Sequence, residues 1–98
     1  MKRKDYADFV RLMSMIKKYP EYYFELTQEQ VTTKISYSIE DNIWIRQLII
    51  NGEVFAKSLF NPTDREIVEF CNQFNPDEFR SAVYNKIEEI ENSDDFQG

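Results

Sequence analysis

The sequence predicts a single-domain α+β protein: one N-terminal helix, a three-stranded antiparallel meander and two C-terminal helices. Three observations carry this expectation. Apolar residues recur at helical spacing towards both ends of the chain, and they alternate with period two in the middle. Asn51-Gly52, a strong two-residue hairpin signal, stands between two of the strand-like runs. With 98 residues, the chain has room for one hydrophobic core and not two.

Each element has its own signature. Behind Asp5, a candidate N-cap, Tyr6, Phe9, Val10, Met13 and Ile16 follow at helical spacing, and Pro20 lies beyond the last of them. Glu21 to Leu26 reads in two ways. The favoured one extends the helix or forms a loop after Pro20; the other runs a short fourth strand through Tyr22, Phe24 and Leu26. Val31, Thr33, Ile35, Tyr37 and Ile39 then alternate with Thr32, Lys34, Ser36 and Ser38, as in a strand with one wet face. Glu40-Asp41-Asn42 makes a turn, Ile43 to Ile50 a second strand, and Glu53 to Phe60 a third. Thr63-x-x-Glu66 is a capping box that opens a helix with Ile67, Phe70, Cys71 and Phe74 as its stripe. Asn75-Pro76 supplies an N-cap and first helical residue for a last helix striped by Phe79, Val83, Ile87 and Ile90. The domain is expected over residues 1–91, with residues 92–98 fraying as an acidic tail.

Strand registers follow from the turns. A two-residue turn at Asn51-Gly52 pairs Ile49 with Val54, Gln47 with Ala56, Ile45 with Ser58 and Ile43 with Phe60. A three-residue loop over Glu40 to Asn42 pairs Ile39 with Ile43, Tyr37 with Ile45, Ile35 with Gln47 and Thr33 with Ile49. Both turns place the same face of the middle strand in the core. Gln47 becomes that face's one polar residue, in need of a hydrogen-bond partner. On the opposite face this register gathers Trp44, Leu48, Phe55 and Leu59 beside Lys34, Arg46 and Lys57, with Arg46 facing Lys57 as a like-charge pair. Leaving four large apolar side chains in water forfeits about 1.5–3 kcal/mol each. The face is therefore expected to be covered by one of the chain's own helices, by a partner, or by a second copy in a homodimer.

Composition narrows the chemistry. The sequence has no histidine and one cysteine, so no Ser-His or Cys-His pair and no imidazole or thiolate zinc site can be built. Cys71 sits on an apolar helical stripe and reads as a buried, inert thiol. With 2 Gly there is no glycine-rich phosphate cradle. Carboxylates alone remain as acids and bases, and Glu66 with Glu69 or Glu88 with Glu91 lack a matching acid on a strand end. No catalytic residue, metal site or cofactor is expected, and the chain reads as a binder and not an enzyme. No apolar run approaches the ~20 residues of a membrane span, and the lone cysteine suits a reducing compartment, so a cytoplasmic location is expected.

The charge is lopsided. Residues 1–60 hold nine basic and eight acidic side chains; residues 61–98 hold three basic and ten acidic, a net of −7. Such a surface disfavours direct contact with nucleic acid and favours a protein partner with a basic groove. The candidate partner-binding acids are Asp77, Glu78, Glu88, Glu89, Glu91, Asp94 and Asp95, opposed by Arg80 and Lys86. Spaced carboxylates can stand in for phosphates where lysines and arginines are already arranged for negative charge.

The order helix, meander, two helices, with an acidic C-terminal half, resembles the small prophage-encoded anti-CRISPR inhibitors of type II effector nucleases. The likeness spans residues 43–74 and rests on Gln47-Leu48-Ile49-Ile50 in the middle strand, the turn after it, and Ile67-Val68-Glu69 followed by Phe70 and Phe74. It implies an inhibitor that occupies the channel in which the nuclease reads its duplex signal, and it carries over no individual acidic position. A phage or mobile-element inhibitor of a host nucleic-acid enzyme is thus the leading expectation. A structural or regulatory protein that dimerises or binds a peptide through the Trp44 and Phe55 face is the alternative.

Overall fold

The computed structural model describes residues 3–93, with side chains from Tyr6 onward. Helix α1 (Arg3–Lys18) leads into β1 (Phe24–Gln28), β2 (Val31–Ser38), β3 (Ile43–Ile50) and β4 (Glu53–Phe60), followed by α2 (Asp64–Cys71) and α3 (Pro76–Glu91). The four strands form one antiparallel sheet in the order β1-β2-β3-β4. The fold is α+β with a meander, as the sequence indicates, and the short fourth strand exists.

That strand resolves the ambiguity after Pro20. Phe24 is buried opposite Ile35, and the β1–β2 turn is closed by Glu29 and Gln30 at φ 52° and 72°. Two consecutive left-handed residues suit the right-handed twist of a hairpin, but that position usually announces itself with Asn or Gly. A Glu-Gln turn gives no such signal.

Helix α1 begins at Arg3, ahead of the expected start, and the Asp5 side chain lies outside the described residues. Its buried stripe is Phe9, Leu12, Met13 and Ile16, with Met15 beside it, while Val10 is 44% exposed. The stripe is the expected i, i+3, i+4, i+7 pattern, set one position away from Val10. The caps of α2 and α3 are as the sequence indicates. Thr63 Oγ1 accepts the Glu66 N–H at 3.3 Å, and Asn75 Oδ1 accepts those of Asp77 and Glu78 at 3.0 and 3.1 Å. The Glu66 carboxylate reaches back to the Asn61 N–H at 2.7 Å, two residues further than a capping box requires. Structure continues past the expected boundary at residue 91: Asn92 caps α3, and Ser93 donates from both N and Oγ to the Ile90 carbonyl. The rest of the expected tail, residues 94–98, lies outside the described residues.

The helices lie on one face of the sheet, and the core between the layers is built of phenylalanine. Phe9 of α1 meets Phe24 of β1, Phe70 of α2 and Phe79 of α3 at ring-centroid distances of 5.5, 5.3 and 5.4 Å. Phe60 of β4 joins through Phe70 at 5.4 Å. Five elements each contribute one ring to this cluster, so losing any of them opens the core on several sides.

The strand registers correct the sequence reading. Ser38 pairs with Ile43, which makes the β2–β3 loop four residues long, Ile39 to Asn42, instead of three. Tyr37 therefore faces Trp44, Ile35 faces Arg46 and Thr33 faces Leu48. Asn42 closes the loop at φ 56°, with its Oδ1 accepting the Tyr37 hydroxyl at 2.7 Å. Asn adopts that left-handed conformation more readily than most residues. On the other side Ile49 pairs with Val54, as expected, but a bulge follows: Leu48 pairs with Ala56 and Trp44 with Phe60. One extra residue, Phe55, slips β4 by one position. A one-residue slip exchanges the faces of a strand, so Trp44, Arg46 and Leu48 turn towards the helices and Ile43, Ile45, Gln47 and Ile49 turn away.

Candidate functional site

The expected apolar site of Trp44, Leu48, Phe55 and Leu59 is not one surface, although Trp44 and Leu59 line one depression together. Trp44 is 8% exposed and packs against Tyr37 at 5.0 Å on the helical side. Leu48 shares a depression on that same side with Thr33, Gln73 and Phe74. Phe55 and Leu59 remain 74% and 70% exposed on β4. Arg46 faces Ser58, not Lys57, so the expected like-charge pair does not form. Its guanidinium donates to Gln73 Oε1 at 2.8 Å and lies 5.5 Å from the centre of the Phe70 ring. The core residue in need of a polar partner is Arg46, and α2 with the residue after its cap supplies one.

What the register leaves in the open is the far face of β3 and most of β4. Every residue of β4 before Phe60 is exposed, and Ile43, Ile45 and Ile49 are half-buried. As a sheet edge, β4 carries two features that discourage strand pairing with another chain, the bulge at Phe55 and the exposed Lys57.

The acids form a second surface. Burial of Phe79, Val83, Ile87 and Ile90 fixes the rotation of α3, so Asp77, Glu78, Glu88 and Glu89 are exposed and Glu91 half-buried. Asp94 and Asp95 lie outside the described residues. The acids fall into two groups at opposite ends of a 16-residue helix, separated by about 15 Å at 1.5 Å per residue. At the N-terminal end Asp77 lies 3.6 Å from Arg80, and Glu78 accepts from Gln28 Nε2 at 3.0 Å. Acids there also complement the helix dipole. At the C-terminal end Glu89 pairs with Lys86 at 3.2 Å and Glu91 with Arg11 at 2.8 Å; Glu88 has no ion pair among the described residues. The last turn of α3 holds no basic residue. Negative charge at a helix C-terminus opposes the dipole by about 0.3–1 kcal/mol per group. Lys86 and Arg11 offset that cost at Glu89 and Glu91.

A third feature had no signal in the sequence. Two adjoining depressions share Lys17, Trp44 and Pro62. The larger, about 480 Å³, is also lined by Tyr37, Asn42 and Asn61; the smaller, about 210 Å³, by Val10, Met13 and Ile67. The lining comes from α1, β2, β3, β4 and α2 and from the loops that follow β2 and β4. Only folding brings these residues together.

Among the described residues, no cluster of three or more Cys, Asp or Glu side chains could hold a metal ion, and no helix is long and apolar enough to cross a membrane. No family model, curated protein or solved structure matches the chain.

Proposed function

We propose that the chain is a non-catalytic cytoplasmic inhibitor of phage or mobile-element type, which needs no cofactor. It lays the acidic surface of its helical layer into the basic groove of a host nucleic-acid enzyme and blocks access to the nucleic acid. The observation that carries this reading is the acidic C-terminal end of α3, where Glu88, Glu89 and Glu91 cluster without a basic residue in the last turn. Negative charge there opposes the helix dipole, Lys86 and Arg11 offset it in part at Glu89 and Glu91, and a cationic partner surface would offset it further. In support, all eight acidic side chains from Asp64 to Glu91 reach solvent at least in part, against three basic ones in the same stretch. The two groups, about 15 Å apart, suit contact with several phosphate-binding positions along a groove and not with a single one.

The test is capture from a bacterial lysate, with the wild-type chain and the Glu88→Lys/Glu89→Lys/Glu91→Lys variant compared side by side. The wild type should retain a nucleic-acid enzyme that duplex competes away and that elutes between about 0.15 and 0.5 M salt, as screening shortens the reach of the charges. The variant should retain none. Recovery of the same partner by both chains, or capture indifferent to salt, would sink the proposal.

A second reading has its own observation. Val54, Phe55 and Leu59 are 54%, 74% and 70% exposed, three large apolar side chains on the edge strand β4. A structural or regulatory role, with a partner or second copy over β4, would account for them. Salt-resistant capture abolished by Phe55→Ser, and unaffected by the α3 variant, would favour it.

A further inference from the structure

We infer that the groove over Trp44 is a binding site for a short segment of a partner protein in which an apolar side chain is followed by a carboxylate. The two depressions, about 480 and 210 Å³, together fall in the range of ligand sites. Their shared wall, Trp44 and Pro62, is apolar, and Val10, Met13 and Ile67 extend it along α1 and α2. An apolar side chain seated there displaces water from a surface already built for it.

The polar groups point to the rest of the ligand. Among the described residues Lys17 is the one charged side chain lining either depression, and it lines both. Its ammonium lies 5.7 Å from the centre of the Tyr37 ring, which holds it over the larger depression without neutralising it. Asn42 lines the same space, and its Oδ1 is already taken by the Tyr37 hydroxyl at 2.7 Å. That bond orients the Asn42 amide and leaves its two N–H groups as donors beside the second lone pair of Oδ1. One ammonium and one amide donor above an apolar floor select a carboxylate attached to an apolar body. The two-part shape selects a peptide over a small acid, because a single ring would fill one depression and leave the other empty. The acids of α3 take no part, so the groove and the acidic surface stand or fall separately.

The test uses the ¹⁵N-labelled full chain and three probes: acetyl-Phe-Asp-amide, the neutral acetyl-Phe-Asn-amide, and 3-phenylpropionate. The indole N–H of the chain's single tryptophan is a unique reporter. The Asp dipeptide should shift that resonance and the backbone amides of Asn42 and Asn61 saturably below about 20 mM. Affinity should fall about fivefold or more with the Asn dipeptide, with phenylpropionate, and in Lys17→Gln. Lys18→Gln, one residue further along the same exposed end of α1, should change it less than about twofold. No saturable shift, equal binding of the Asp and Asn dipeptides, or an equal loss in both lysine variants would overturn the inference. Phenylpropionate binding as tightly as the dipeptide would also overturn it, in favour of a small-molecule pocket.

Discussion

Trp44 and Ile45 are neighbours on β3, and the register makes opposite demands on them. Trp44 is 8% exposed, packed against Tyr37 and paired with Phe60. Ile45 is half-buried on the open face, opposite Leu59. Truncating a buried tryptophan to alanine removes about 3–5 kcal/mol, a large share of the about 5–15 kcal/mol that holds a domain together. Truncating an isoleucine that keeps much of its surface in water removes about 1 kcal/mol. With a urea dependence of about 2 kcal/mol per molar, Trp44→Ala should lower the midpoint by about 2 M and Ile45→Ala by about 0.5 M. Far-UV circular dichroism is the appropriate probe, since the first variant lacks the only tryptophan. The alternative register, with Ile39 opposite Ile43, puts Ile45 in the core and Trp44 on the surface. An Ile45→Ala loss equal to or larger than that of Trp44→Ala would refute the pairing described above.

Two further expectations concern local structure. Asn75→Ala frees two backbone N–H groups at the start of α3 and should cost about 1 kcal/mol, a fall of about 4–8 °C in Tm; Thr63→Ala, whose single bond is long at 3.3 Å, should cost less. Gly52 sits at φ 80° with no atom within 4 Å of a Cβ built on it, so Gly52→Ala should meet no clash and still lower Tm by about 4–8 °C from backbone strain alone. A neutral Gly52→Ala would mean that the turn relaxes.

The strand pairing shows how a self-consistent reading of the sequence can still be displaced. Both turns, taken at their shortest, assigned β3 the same inward face, and that agreement rested on a β2–β3 loop one residue too short and on a β4 without a bulge; the Asn51-Gly52 turn itself has the expected two residues. The four-residue loop at Ile39–Asn42 and the bulge at Phe55 shift both neighbours of β3 by one position, and so exchange its faces. Ile43, Ile45 and Ile49 alternate as cleanly as Trp44 and Leu48 do with their own neighbours, so hydropathy alone could not choose between the faces. The volume of Trp44 and Phe60 and their fit beside Tyr37 and Phe70 chose.

The candidate surfaces divide in the same way. The acids of α3 were legible because a helix stripe of Phe79, Val83, Ile87 and Ile90 dictates which positions must face water. The groove over Trp44 was not, because its residues lie far apart in the chain and none belongs to a local motif. By itself the sequence determined the helices, the caps of α2 and α3, the existence of a meander and the acidic character of the C-terminal half, since these depend on periodicity and on contacts within a few residues. Register, the burial of Trp44, the exposure of β4 and the joining of Lys17 to Trp44 and Asn42 were decided only by the tertiary structure, because each depends on how side chains distant in sequence share the same space.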